Sequence, residues 1–136
     1  MNNAYLIKHF YEVIVSENRL DELPKYISEN CVLRIGEKTA PLGLDGMKQH
    51  LSALRITYPD LTLKATRQFI HGDFIISEIT MRGTHRGAFL GITPTNKVLV
   101  ITGINIDKVS DGKIVEHSGA ANTFEAFYKH HLIKPV

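Results

Sequence analysis

Leu6, Phe10, Val13 and Ile14 recur at helical spacing, which predicts an amphipathic helix over residues 3–18. A short second helix is expected over 22–27, with Pro24 tolerated in its first turn. Residues 31–35, Cys-Val-Leu-Arg-Ile, have the apolar content of a short strand, and 36–43 reads as a loop. Asp45 can then cap a helix whose core face is Met47, Leu51, Leu54 and Tyr58. Tyr58-Pro59-Asp60 stops it.

From Leu61 onward the period changes from helical to alternating. Residues 61–70 predict a strand, His71-Gly72-Asp73 a turn, and 74–86 a long strand. Residues 87–96 form a loop containing Gly and Pro. Residues 97–109 are a second long strand, Ser110-Asp111-Gly112 a hairpin turn, and 113–121 the last strand. Asn122 opens a final helix reaching about His131. Helices first, an antiparallel meander next and a closing helix last make an α+β domain with helices packed on one face of a curved sheet. A curved sheet roofed by helices is a cone, and its mouth is a natural small-molecule pocket.

Composition narrows the field. At 136 residues the chain is read as one domain, 1–136, with 43% hydrophobic and 22% charged residues, as in ordinary globular proteins. No apolar run approaches the roughly 20 residues of a membrane span, and no signal peptide is legible at the N-terminus. The single cysteine, Cys31, cannot form an internal disulfide, so a cytoplasmic location is expected. The net charge of +2 comes from scattered Lys and Arg, with no basic run to suggest nucleic acid. No phosphate-binding glycine loop or dinucleotide fingerprint is present, and His130-His131 lacks metal-ligand spacing, so neither cofactor nor metal is expected.

Candidate chemistry follows from strand parity. His85 shares a face with Ile75, Ser77, Ile79, Met81 and Gly83, which places it near the mouth of the cone. There it could shuttle a proton or bind a carbonyl; alternatively it is a partly buried histidine bonded to the adjacent loop. Glu116 and His117 are neighbours, so a regular strand turns only one of them inward. Glu116 has the parity of Asn122 and would serve as a base if that parity faces the pocket; otherwise it is a solvated edge carboxylate. Asp107, close to the hairpin turn, is expected to pair with a surface Lys or Arg. Tyr11 and Tyr58 could present hydroxyls to a ligand, or pack with those hydroxyls at the rim. Phe89, in the loop, is a further ligand-contact candidate. Cys31 is expected to pack rather than react. On the 97–109 strand both faces are apolar, so the outer one predicts a homodimer or a dimer of dimers.

Several segments recur together in one known family. They are Gly83-Thr84-His85-Arg86-Gly87, Leu90-Gly91-Ile92-Thr93-Pro94-Thr95-Asn96-Lys97, and Asp111-Gly112-Lys113-Ile114-Val115-Glu116-His117 ending at Asn122. Gly43-Leu44-Asp45-Gly46-Met47, Tyr58-Pro59-Asp60-Leu61 and His131-Leu132-Ile133-Lys134-Pro135 join them. In this order and spacing they resemble the SnoaL-like polyketide cyclases of the NTF2-like superfamily. The resemblance implies the NTF2-like cone and a small carbonyl substrate. It also implies cofactor-independent proton abstraction leading to an aldol-type ring closure or isomerisation. Asn122 stands where the resemblance places a catalytic aspartate. An amide cannot titrate near neutrality, so it could only donate a hydrogen bond, with His85 or Glu116 as base. Asn122 with Glu125 also fits a helix capping box, which would explain the residue without any ligand. Ser118 replaces a tryptophan common in the family, which reshapes the pocket wall and makes Ser118 a ligand-contact candidate. Two other outcomes stay open: a non-catalytic ligand-binding or regulatory module, and a different pocket enzyme of the ketosteroid-isomerase or epoxide-hydrolase kind.

Overall fold

The computed structural model describes residues 2–89 and 91–133. Leu90 and the Lys134-Pro135 end of the C-terminal landmark lie outside the described residues. The chain opens with helix α1 (Asn3–His9), capped by the Asn2 side chain, which accepts from the Tyr5 amide. It continues directly into a π-helical stretch, Phe10–Val15. The buried residues here are Leu6 and Ile7, Phe10 and Tyr11, Ile14 and Val15. That repeat of four is longer than the 3.6-residue α turn, and the wider π turn keeps all three pairs on one face. A 3₁₀ turn, Leu20–Lys25, contains Pro24.

Strand β1 (Ile27–Ile35) is longer than its apolar core predicts, and β2 (Lys38–Pro41) forms within the 36–43 segment whose pattern predicts a loop. The β2 residues pair with β1 through a tight turn at Gly36, and little apolar content marks them. Helix α2 (Gly43–Thr57) starts two residues before Asp45, which sits in its first turn without capping it. The meander follows as β3 (Thr62–His71), β4 (Phe74–Thr84), β5 (Val98–Ser110) and β6 (Lys113–Ala121), closed by α3 (Thr123–Lys129). All six strands form one sheet, ordered β2-β1-β6-β5-β4-β3. Only the β1–β6 pair is parallel.

The sheet has two unlike faces. Ile75, Ser77 and Ile79 on β4 and Leu99, Ile101 and Asp107 on β5 are buried under the helices. Val98, Val100, Ile104 and Ile106 on β5 point the other way and are 40–50% exposed. Alternation decides this: one parity faces the helices, the other solvent. Arg55 of α2 ties the helical layer together, donating to the Val15 and Ser16 carbonyls and to those of Pro59 and Leu61. Among the described residues no helix is long and apolar enough to cross a membrane.

Candidate active site

A cavity of about 790 Å³ lies between the helices and the inner face of the sheet. It falls within the roughly 300–1,000 Å³ usual for small-molecule sites. Its walls are mainly apolar, with Phe10, Val15, Leu51, Leu54, Met81 and Ile101 prominent. Tyr11, Asn105 and His117 are among its polar groups, the last two contributed by the adjoining strands β5 and β6.

Asp107 lies at the base of this polar group, fully buried. Sequence reading expected it to pair with a surface Lys or Arg; instead both its oxygens are bonded from within. The Tyr11 hydroxyl donates to Oδ2 at 2.6 Å, and His117 Nδ1 meets Oδ1 at 2.7 Å. The expectation failed because closeness to a turn in sequence says nothing about which face a side chain takes. Asp107 shares the inward parity of Leu99 and Ile101, and it pairs directly with His117 across the β5–β6 ladder. Cross-strand partners stand about 4.5–5.5 Å apart, close enough for a direct side-chain bond.

Each member of the trio is held by its element. Tyr11 comes from the π-helical stretch, where its carbonyl accepts from the Ser16 amide and from the Ser16 hydroxyl at 2.9 Å. Ser16 Oγ also accepts from the Leu63 amide at 2.8 Å, which locks the helix to β3. Burial raises the Tyr11 phenol well above its ordinary value, and the charge of Asp107 adds to this, so Tyr11 remains a protonated donor. A carboxylate can only accept, so Nδ1 of His117 carries the proton toward Asp107. Its Nε2 is left without a hydrogen-bond partner among the described residues. The imidazole borders the cavity with its side chain 12% exposed. His50 of α2 lines the same cavity; desolvation and then the neighbouring His117 hold its imidazole below the ordinary histidine value. Arg34 also borders the cavity.

The residues singled out from sequence are distributed differently. Tyr11 lines the cavity. Ser118 borders it too, its hydroxyl donating to the Ile106 carbonyl at 3.4 Å. Glu116 has the opposite parity from His117 and is taken up by Arg34, whose Nη2 lies 3.0 Å from its Oε1. His85 is not at the mouth. It is fully buried between Tyr58 and Phe127, with ring centroids 6.2 Å from each. Its Nδ1 is 3.1 Å from Thr95 Oγ1, and Nε2 is buried without a partner among the described residues. Tyr58 and Phe89 belong to this aromatic cluster, Phe89 meeting Phe127 edge-on at 6.1 Å. Asn122 borders a separate depression of about 510 Å³, together with Glu78, Thr80, Thr102 and Ile104 of the outer face. Its side chain does not cap α3: the amide donates to the Glu125 carboxylate instead, while its backbone N–H reaches the Thr102 carbonyl at 2.7 Å.

His117 and Asp107 could have been found from sequence by following the inward parity of β5 and β6 to their shared ladder position. That step needs the register, which alternation within one strand does not provide. Among the described residues no group of His, Cys, Asp and Glu is arranged to hold a metal ion.

No curated protein matches the chain. Solved structures do. IdmH from Streptomyces antibioticus is 22% identical with a TM-score of 0.82, covering 96% of this chain and 99% of its own. TsrD from Streptomyces laurentii is 19% identical, TM-score 0.81, covering 98% and 99%. A SnoaL-like polyketide cyclase from Agrobacterium tumefaciens is 17% identical, TM-score 0.81, covering 96% and 99%. At these identities the likeness establishes the NTF2-like fold. The sequence itself matches the family over residues 5–127, nearly the whole described chain, and with helices, sheet and cone in place the protein belongs to the SnoaL-like polyketide cyclase family.

Proposed function

We propose that the cone binds a small, largely apolar carbonyl compound and that His117 removes a proton next to its carbonyl. The observation that carries this reading is the buried Asp107 carboxylate, bonded at once by Tyr11 and His117, both of which line the apolar cavity. Asp107 orients the imidazole and stabilises the imidazolium that forms when Nε2 accepts a proton, the arrangement that makes a histidine an effective base. Tyr11 fixes the carboxylate in turn. The electron pair of the broken C–H bond passes into an enolate, which can close a ring or be reprotonated elsewhere. The reaction class is lyase or isomerase, in keeping with the cyclase family.

The test is deuterium exchange at the acidic carbon of small β-keto esters and of 2-tetralone, a bicyclic ketone sized for the cavity. Wild type should exchange above the buffer rate, and His117→Ala should return exchange to near background. Background exchange by wild type, with ligand binding demonstrated, would leave a binding module rather than an enzyme.

We further propose that the outer face of the sheet joins two copies of the chain. Phe69 at 48% exposure extends the apolar stripe of Val98, Val100, Ile104 and Ile106. Light scattering at micromolar concentration should give at least a dimer; a monomer would refute the assignment.

A further inference from the structure

Gly119 faces Asn105 directly across the β5–β6 ladder, on the inner side of the sheet and one inward position from the Asp107–His117 pair. A Cβ at 119 would lie only 2.1 Å from Asn105 Oδ1, so the amide occupies the volume where a side chain at 119 would stand. The lack of a side chain at Gly119 thus leaves a notch, and Asn105 fills it while still lining the cavity. An amide nitrogen has two N–H groups. Oδ1 is settled against Gly119, and among the described residues no hydrogen bond takes up either N–H, so they are available to the cavity that Asn105 lines.

Resting on the reading of the cone as a carbonyl site, we propose that Asn105, seated in the Gly119 notch, donates the hydrogen bond that holds the ligand's carbonyl oxygen. Asn105 and His117 are diagonal neighbours on the ladder, about 7–8 Å apart at the backbone. That separation leaves room for a carbonyl oxygen on the donor and the adjacent carbon against Nε2. When Nε2 takes the proton, the C–H electron pair becomes the enolate double bond. Negative charge then gathers on the oxygen that Asn105 holds, so the contact strengthens as the proton moves. The substrate class is accordingly a ketone or β-dicarbonyl enolisable toward β6. The glycine is part of the device, since any side chain there would displace the donor.

The experiment uses 2-tetralone and tetralin, the same skeleton with and without the oxygen. Dissociation constants are measured by NMR titration for wild type, Asn105→Ala, Gly119→Ala and His117→Ala. Wild type should prefer the ketone by about 3- to 10-fold, the net worth of one hydrogen bond. Asn105→Ala should bring that preference to about one while tetralin binding is unchanged. Gly119→Ala should do the same by displacing the amide while Asn105 itself is kept. His117→Ala should keep the preference and lose deuterium exchange at C1, which separates the donor from the base. A ketone preference that survives Asn105→Ala overturns the assignment of the donor and leaves the His117 reading standing. Equal binding of both probes by wild type also overturns it. Failure of both probes to enter the cavity defeats both readings together.

Discussion

His85 and His117 are both withdrawn from solvent, and their surroundings differ in every respect that bears on chemistry. His85 sits between Tyr58 and Phe127, under a loop whose Asn96 amide donates to the His85 carbonyl at 2.9 Å. Packing there is tight: a Cβ on Gly83 would come 2.7 Å from Tyr58, and one on Gly87 would come 2.5 Å from the Ile56 carbonyl. Among the described residues no group of opposite charge bonds its ring, and it is not among those lining the cavity. His117 is bonded to a fully buried carboxylate and opens onto about 790 Å³ of space. Burial alone therefore does not mark a working histidine. A charge partner that sets the tautomer, together with a void in which a substrate can stand, does.

The largest expected effect breaks this contrast most directly. His117→Ala should lower 2-tetralone exchange by about 10²–10⁴-fold, the usual worth of a general base. His85→Ala, measured on the folded fraction, should leave exchange within a few-fold of wild type. The reverse outcome would move the chemistry to the aromatic cluster.

Stability should show the opposite ranking. His85→Ala empties a close-packed aromatic site and should cost about 2–4 kcal/mol in urea unfolding. Tyr11→Phe keeps the ring but leaves Asp107 Oδ2 without its donor, for about 1–3 kcal/mol. A neutral His85→Ala would show that the cluster holds nothing together.

The cone floor should also respond to alkali. Burial pushes the Cys31 thiol up from 9.0 to about 11, and the Tyr11 phenol is raised as well. For both groups the folded state retains a proton that the unfolded state releases. Stability should therefore be full below pH 9 and decline as pH rises from about 9 toward 11. Urea titrations across that range check this, and slow alkylation of native Cys31 near neutrality should accompany it. A flat stability profile would mean that neither group is buried in solution.

The smallest effect concerns Asn122. Its amide bonds the Glu125 carboxylate rather than the helix backbone. Asn122→Asp replaces a donor with a second negative charge at an exposed site and should cost about 0.5 kcal/mol in a thermal melt. A gain in stability would indicate that a side-chain cap forms after all.

The period of the apolar residues was enough to place the first helical segment, α2 and β3 to β6, but only the second half of β1. The 3.6 spacing marks the first helical segment and α2, and alternation marks β3 to β6, with β6 matching its predicted bounds. Local chemistry also supplied the turns at Gly72 and Gly112, both at positive φ. It missed β2, whose four residues pair through backbone groups that any sequence carries. The π widening was missed as well, because it shows only as a lengthened repeat of buried pairs in the folded chain.

For the site, sequence offered Tyr11 as a hydroxyl that could meet a ligand or pack at the rim, and framed the choice between Glu116 and His117. It could not resolve that choice, because parity gives two faces and only packing says which is covered. Asp107 and His117 are ten residues apart, and Tyr11 is 96 from Asp107. The sequence by itself determined the helices, the meander and the family, since these rest on interactions a few residues long or on a pattern of residue types. The bond of Tyr11 and His117 to one buried carboxylate, and the room Gly119 leaves for Asn105, were decided only by the tertiary structure. Both depend on strand register and on how the first helical segment crosses the sheet, which are properties of long-range packing that no local pattern carries.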